Sequence, residues 1–180
     1  MHGIVLKQLK DFVVETEGLD AWQAVLEEAG LSGSVFVPVT EYPDEDVLAL
    51  VAAATELTGS DPEVLLEAFG RFLVGPLVET YGVHVDREWT GLELVANVER
   101  YIHEALRAKR LSTYTPPKLE AEWRGDDSVG VVYRSERGFC HLARGIIVGV
   151  GRHFEEPFDV EETACVHDGD GHCEFVVTRR

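Results

Sequence analysis

The chain has 180 residues, 45% hydrophobic and 27% charged, and carries a formal net charge of −17. That is enough apolar material for one domain with a real core and too much for intrinsic disorder. The acidity excludes sequence-independent binding to nucleic acid or to an anionic membrane surface. No run of about 18 apolar residues and no signal-type N-terminus is present, so neither membrane insertion nor export is expected and the location reads as cytoplasmic.

The first half reads as helices. In GIVLKQLKDFVVETEG, Ile4, Leu6, Leu9, Phe12 and Val13 recur at near-helical spacing, and Gly18 stops the run. Asp20, with Gln23 three residues on, is placed to cap a second helix that buries Trp22, Val25 and Leu26 before Gly30. EDVLALVAAATELTG and DPEVLLEAFGRFLVGPLVETYG give two more. The latter opens on Asp61 and Pro62 and is expected to bend or break at Gly75 and Pro76. A further helix spans TGLELVANVERYIHEALRAKR, with Thr90 and Glu93 in capping-box register and basic residues gathered at its C-terminal end.

Pro116 and Pro117 end the helical half. KLEAEWR and SVGVVYR alternate as strands around a turn at Gly125 to Asp127, and a helix over roughly GFCHLARGIIVGVGRHF follows. FDVEETACVH and CEFVVTR then form a hairpin around DGDG. The order predicts an α+β fold, with a helical N-terminal lobe packed on a C-terminal lobe of four-stranded antiparallel sheet plus helix. A single domain over 1–180 is expected, divided into a helical lobe at 1–60 and an α+β lobe at 61–180. DGDG does not read as a calcium loop, because the residue eleven after Asp168 is Arg179 instead of a bidentate glutamate.

Three places carry chemistry. His103 lies in mid-helix between Ile102 and Leu106, and reads either as a half-buried histidine at a helix edge or as a single axial ligand of the kind haem takes. Tyr133, Ser135 and Arg137 stand at alternate positions, so three donors can face one way, as a pair of carboxylates or a phosphate would require; a polar strand face explains the spacing equally well. Cys140, Cys165 and Cys173, an odd number, suit a reducing compartment. With His167 and His172 in ACVHDGDGHCEF they read as a zinc or redox thiol site, or as buried free thiols.

Taken in order, MHGIVLKQLKDFV, LLEAFGRFLV, the His103 helix, TPPKL and YRSER resemble the haem nitric oxide/oxygen binding (H-NOX) family in its stand-alone bacterial form. YRSER matches that family's Y-x-S-x-R signature and the opening matches M-x-G-x-V. The resemblance covers essentially the whole chain. It implies haem b bound by His103, with Pro117 packed on the porphyrin and Tyr133, Ser135 and Arg137 holding the propionates. It also implies a distal pocket of Val5, Leu9, Leu73, Val74, Leu142 and Ile146. Leu142 stands where some members carry a tyrosine that donates to oxygen, so nitric oxide and carbon monoxide are the expected ligands, oxygen is expected to be excluded, and Tyr81 is the other donor to check. Part of the family holds zinc through three cysteines and a histidine. The cysteines match Cys140, Cys165 and Cys173, while the histidine position is Glu162, leaving Glu162, His167 or His172 as the fourth ligand.

The implied activity is sensing without catalysis. Nitric oxide would weaken the iron to His103 bond, the haem would relax, and one lobe would rotate against the other. With no kinase or cyclase motif in the chain, the effector is expected in trans, as a histidine kinase or a cyclic-di-GMP enzyme. The tail CVHDGDGHCEF is also similar to the end of 4-vinyl reductase domains, which gives the alternative of a small-molecule, thiol-redox or zinc binding module.

Overall fold

The computed structural model describes residues 1–108 and 116–180. Helix α1 (Gly3–Glu17) is closed by Gly18, whose φ of 92° also makes it the N-cap of α2 (Leu19–Glu28). Gly18 alone separates the two helices, so the expected cap Asp20 lies inside the first turn of α2, where its charge still suits the helix N-terminus. Gly3 is required by close approach: a Cβ there would stand 2.0 Å from the Val37 carbonyl oxygen.

Helix α3 (Asp44–Thr58) opens on Asp44, Glu45 and Asp46. Helix α4 (Pro62–Tyr81) is capped by the Asp61 side chain and runs through Pro76 without a break. The expected interruption at Gly75 and Pro76 therefore does not occur. α4 lies along α7 (Cys140–His153), and the backbones touch where Gly70 faces Leu142 and Gly145 faces Glu67. That contact holds α4 helical across one missing hydrogen bond.

Helix α5 (Gly91–Val98) starts with the Thr90–Glu93 capping box. What the sequence reads as one helix then changes period. Residues Glu99–His103 form a π-turn, in which the Glu104 amide bonds to the Glu99 carbonyl, and α6 (Glu104–Ala108) continues from it. The remainder of that predicted helix, residues 109–110, lies outside the described residues.

Strands β1 (Lys118–Trp123), β2 (Ser128–Arg134), β3 (Phe158–Ala164) and β4 (Cys173–Arg179) form one antiparallel sheet in the order β1-β2-β4-β3. One face of the sheet, through Val129, Val131, Tyr133, Phe175 and Val177, packs with α5 and α7 to form one core. A second core joins α1, α2 and α3 with Phe69 and Leu73 of α4 and Phe139 and Leu142 at the start of α7. Between these two cores lies the cavity described next. No described helix is long and apolar enough to cross a membrane.

Candidate functional site

A cavity of about 240 Å³ is walled by α1, α4, α5, the π-turn, the Pro116–Pro117 segment, β2 and α7. Its lining is overwhelmingly aliphatic, and the polar side chains on it are few: His2, Tyr81, His103, Tyr133, Ser135 and Arg137. An apolar chamber with a few convergent polar groups is the usual form of a small-molecule or cofactor site.

His103 enters from the π-turn, with its side chain 16% exposed. Burial lowers its pKa, and Arg107 adds to that effect, while Glu99 and the Pro117 backbone oppose it; the balance keeps the imidazole neutral. Its Nδ1 lies 3.1 Å from Glu99 Oε2. That carboxylate also accepts from Arg107 Nη1 at 2.6 Å and from the Leu119 amide at 3.1 Å. Burial pushes the Glu99 carboxyl up, but the Arg107 bond, the Leu119 amide and the nearby charges outweigh it, and the group sits below the usual carboxylate range. An ionised carboxylate only accepts, so Nδ1 carries the proton and Nε2 keeps its lone pair for a metal.

Tyr133 is the only one of the three spaced donors that lies in a strand, since β2 ends at Arg134. Ser135 and Arg137 follow in a turn, where the Arg137 amide donates to Ser135 Oγ at 3.3 Å. The alternate extended spacing expected from the sequence therefore fails after Tyr133, yet all three side chains reach the same cavity wall. Arg137 Nε is paired with Asp44 Oδ2 at 2.8 Å.

Of the expected distal residues, Val5, Leu73, Val74, Leu142 and Ile146 line this cavity together, and Pro117 lines it as well. Leu9 does not. It borders a separate cavity of about 530 Å³ among α1, α2, α3 and α4, whose polar lining is Thr16, Glu17, Thr58 and Ser60, with no histidine, tyrosine or arginine among them. Tyr81, two turns of α4 beyond Val74, is on the wall of the first cavity, and burial raises its pKa, so the phenol stays protonated. The sequence reading missed Glu99, Arg107 and His2. The spacing of Glu99, four residues before His103 on a helical stretch, was the signal for the first.

The donor set suits haem. A flat apolar ring with two carboxylates needs an aliphatic slot, one axial imidazole, and hydroxyl and guanidinium donors at its edge. The cavity offers all three.

The cysteines meet at the N-terminal end of α7, within the sheet core. Cys140 Sγ and Cys165 Sγ are 3.7 Å apart. Ligand atoms of Cys140, Glu162, Cys165 and Cys173 all lie within 4.8 Å of one another. Glu162 Oε1 is buried and makes no hydrogen bond among the described residues. His167 instead groups with Cys140 and His141, and its ring stacks on that of His141. His172 joins neither group among the described residues. Burial and the neighbouring Cys165 push the Cys140 thiol well up, so without a cation that thiol is protonated.

The haem-NO-binding family profile matches residues 2–162. Among solved structures, an H-NOX protein from S. oneidensis in the Fe(II)NO ligation state superposes with a TM-score of 0.92 at 24% identity, covering 100% of this chain and 99% of that one. An NMR structure of an H-NOX domain from Shewanella oneidensis in the Fe(II)CO ligation state has a TM-score of 0.87 at 24% identity, covering 100% and 99%. The Fe(II) unliganded H-NOX protein from K. algicida has a TM-score of 0.85 at 20% identity, covering 100% and 97%. Comparison with curated protein sequences gives no match.

Proposed function

The chain belongs to the haem-NO-binding family, and from that premise we propose that it is a gas sensor that takes nitric oxide and carbon monoxide on ferrous haem b, excludes oxygen, and signals to a separate protein. The observation that carries this reading is a neutral imidazole, Nδ1 held and Nε2 free of that bond, in the wall of an aliphatic cavity that also receives Tyr133, Ser135 and Arg137. The fold is that of H-NOX proteins solved with nitric oxide and with carbon monoxide, which supports the choice of ligands. When bound, ferrous haem would supply an iron centre able to take a diatomic gas.

The chain's own residues do the rest. His103 would hold the iron through Nε2, Pro117 would pack against the ring, and Tyr133, Ser135 and Arg137 would bind the propionates by charge-assisted hydrogen bonds. Val5, Leu73, Val74, Leu142 and Ile146 wall the gas side without a donor. A gas that gathers negative charge on binding is therefore disfavoured, whereas nitric oxide and carbon monoxide need no such donor. His103 would be the side chain whose hold on the group is weakened by nitric oxide. Pro117 and the propionate clamp pass the change to 61–180, which turns against 1–60. A histidine kinase or cyclic-di-GMP enzyme reads that turn. We read the protein as a sensor with no catalysis of its own, working in the cytoplasm. Family membership leaves the vinyl-reductase-like alternative without support.

Absorption spectra of the reduced protein test this directly. A Soret band that ignores air and moves with nitric oxide is expected. His103→Ala should lose haem unless imidazole is supplied. A wild-type band that shifts in air, and no longer does so in Tyr81→Phe, would show that Tyr81 donates to oxygen and would overturn the exclusion of oxygen.

A further inference from the structure

The π-turn does more than present a histidine. A single extra residue in a helix re-aims the side chains on either side of it, and such insertions concentrate at functional sites. Here it leaves Glu99 and His103 on one side, 3.1 Å apart, with the Glu99 carboxylate 18% exposed. The carboxylate is shared among three donors from three places: the imidazole, Arg107 on α6, and the backbone of Leu119 on β1. Arg107 Nη2 also donates to the Pro117 carbonyl at 2.8 Å, so its guanidinium is fixed where it opposes the Glu99 charge.

We infer that Glu99 is a positioning residue that sets the donor strength of His103 toward the haem iron, and with it the ease with which nitric oxide releases that bond. The inference rests on the haem reading above. A carboxylate that accepts the Nδ1 proton makes the imidazole more electron-rich at Nε2, which strengthens its bond to a metal and favours the higher oxidation state. Arg107 and the Leu119 amide draw on the same carboxylate and moderate the effect, because each withdraws charge from the oxygens that face Nδ1. The result is an intermediate donor, firm enough to retain the cofactor and weak enough to be displaced.

The two partners therefore act in opposite directions, and that opposition is the test. Glu99→Gln keeps an acceptor oxygen and the side-chain shape but removes the charge. It should lower the iron–histidine stretching frequency in resonance Raman spectra of the ferrous protein, move the iron midpoint potential upward, and raise the fraction of nitric oxide complex that has lost the histidine bond. Arg107→Met leaves the carboxylate unopposed and should shift all three the other way. A merely structural role would move both variants in one direction, and that result, or no shift in Glu99→Gln, overturns the inference while leaving the haem reading intact. Nitrogen-15 NMR of the haem-free protein supplies a readout that does not need the cofactor. The His103 proton should reside on Nδ1 in the wild type and redistribute toward Nε2 in Glu99→Leu; a wild-type proton on Nε2 also overturns the inference. A wild-type protein that binds no haem at all overturns both readings.

Discussion

At the scale of single residues, the fourth member of the thiol cluster shows what the sequence could and could not say. Cys140, Cys165 and Cys173 were readable as a set, but the choice among Glu162, His167 and His172 depends on strand register, which a one-residue slip reverses. In β3 the inward alternation runs through Phe158, Val160 and Glu162, and the irregularity between Glu162 and Ala164 in its pairing with β4 lets Cys165 join the same side. The buried Glu162 oxygen without a hydrogen bond is then the group a cation would satisfy. We propose that Cys140, Glu162, Cys165 and Cys173 hold zinc in this tetrad. Metal analysis should find one zinc per chain in addition to iron, and Glu162→Ala should bind it more weakly. Because burial holds the Cys140 thiol protonated, zinc must displace protons, so its affinity should fall as pH is lowered. Iron without zinc in freshly purified protein would leave the cluster as packed thiols.

At the scale of elements, helix periodicity and capping signals located most helices well, and failed where the backbone departs from its repeat. The Thr90–Glu93 capping box and the Asp61–Pro62 start are both present in the structure. The π-turn at Glu99–His103 left no such trace, because one inserted residue changes the phase of a pattern without changing its composition. Pro76 misled for another reason: tertiary contact with α7 overrides a local breaker. That contact yields a sharp prediction. A Cβ at Gly145 would stand 2.2 Å from the Glu67 carbonyl oxygen, so the two backbones must separate. Gly145→Ala should cost ~1–3 kcal/mol or more and lower the melting temperature by several degrees. Gly75, on the same α4 but with nothing within 4 Å of an added Cβ, is the control. Gly75→Ala should leave stability unchanged or raise it by up to ~1 kcal/mol, the helix-propensity gain. Equal thermal melts for the two variants would mean that α4 and α7 are not in backbone contact in solution.

At the scale of the whole molecule, a cluster of charges ties the helical half to Arg137, in the turn that follows β2. Asp44, at the start of α3, takes the N-terminal ammonium on Oδ1 at 2.7 Å and Arg137 on Oδ2 at 2.8 Å. Burial alone would raise its pKa, but the hydrogen bonds from the N-terminal ammonium and Arg137 and their charges outweigh it and hold the carboxyl below its ordinary value. A carboxylate whose pKa is lower folded than unfolded contributes stability that is complete above its unfolded value, about 3.9, and disappears as pH falls through the folded value. The chain carries 33 acidic residues, so its overall acid unfolding says nothing about any one of them; the difference between wild type and Asp44→Asn cancels the rest. Wild type should melt higher at neutral pH, by a modest margin because Asp44 is 37% exposed and solvent screens the pair. The margin should close below about pH 4. A margin that persists unchanged into strong acid would show that the asparagine acts by altered packing, and that charge does not join the two halves of the molecule at this point.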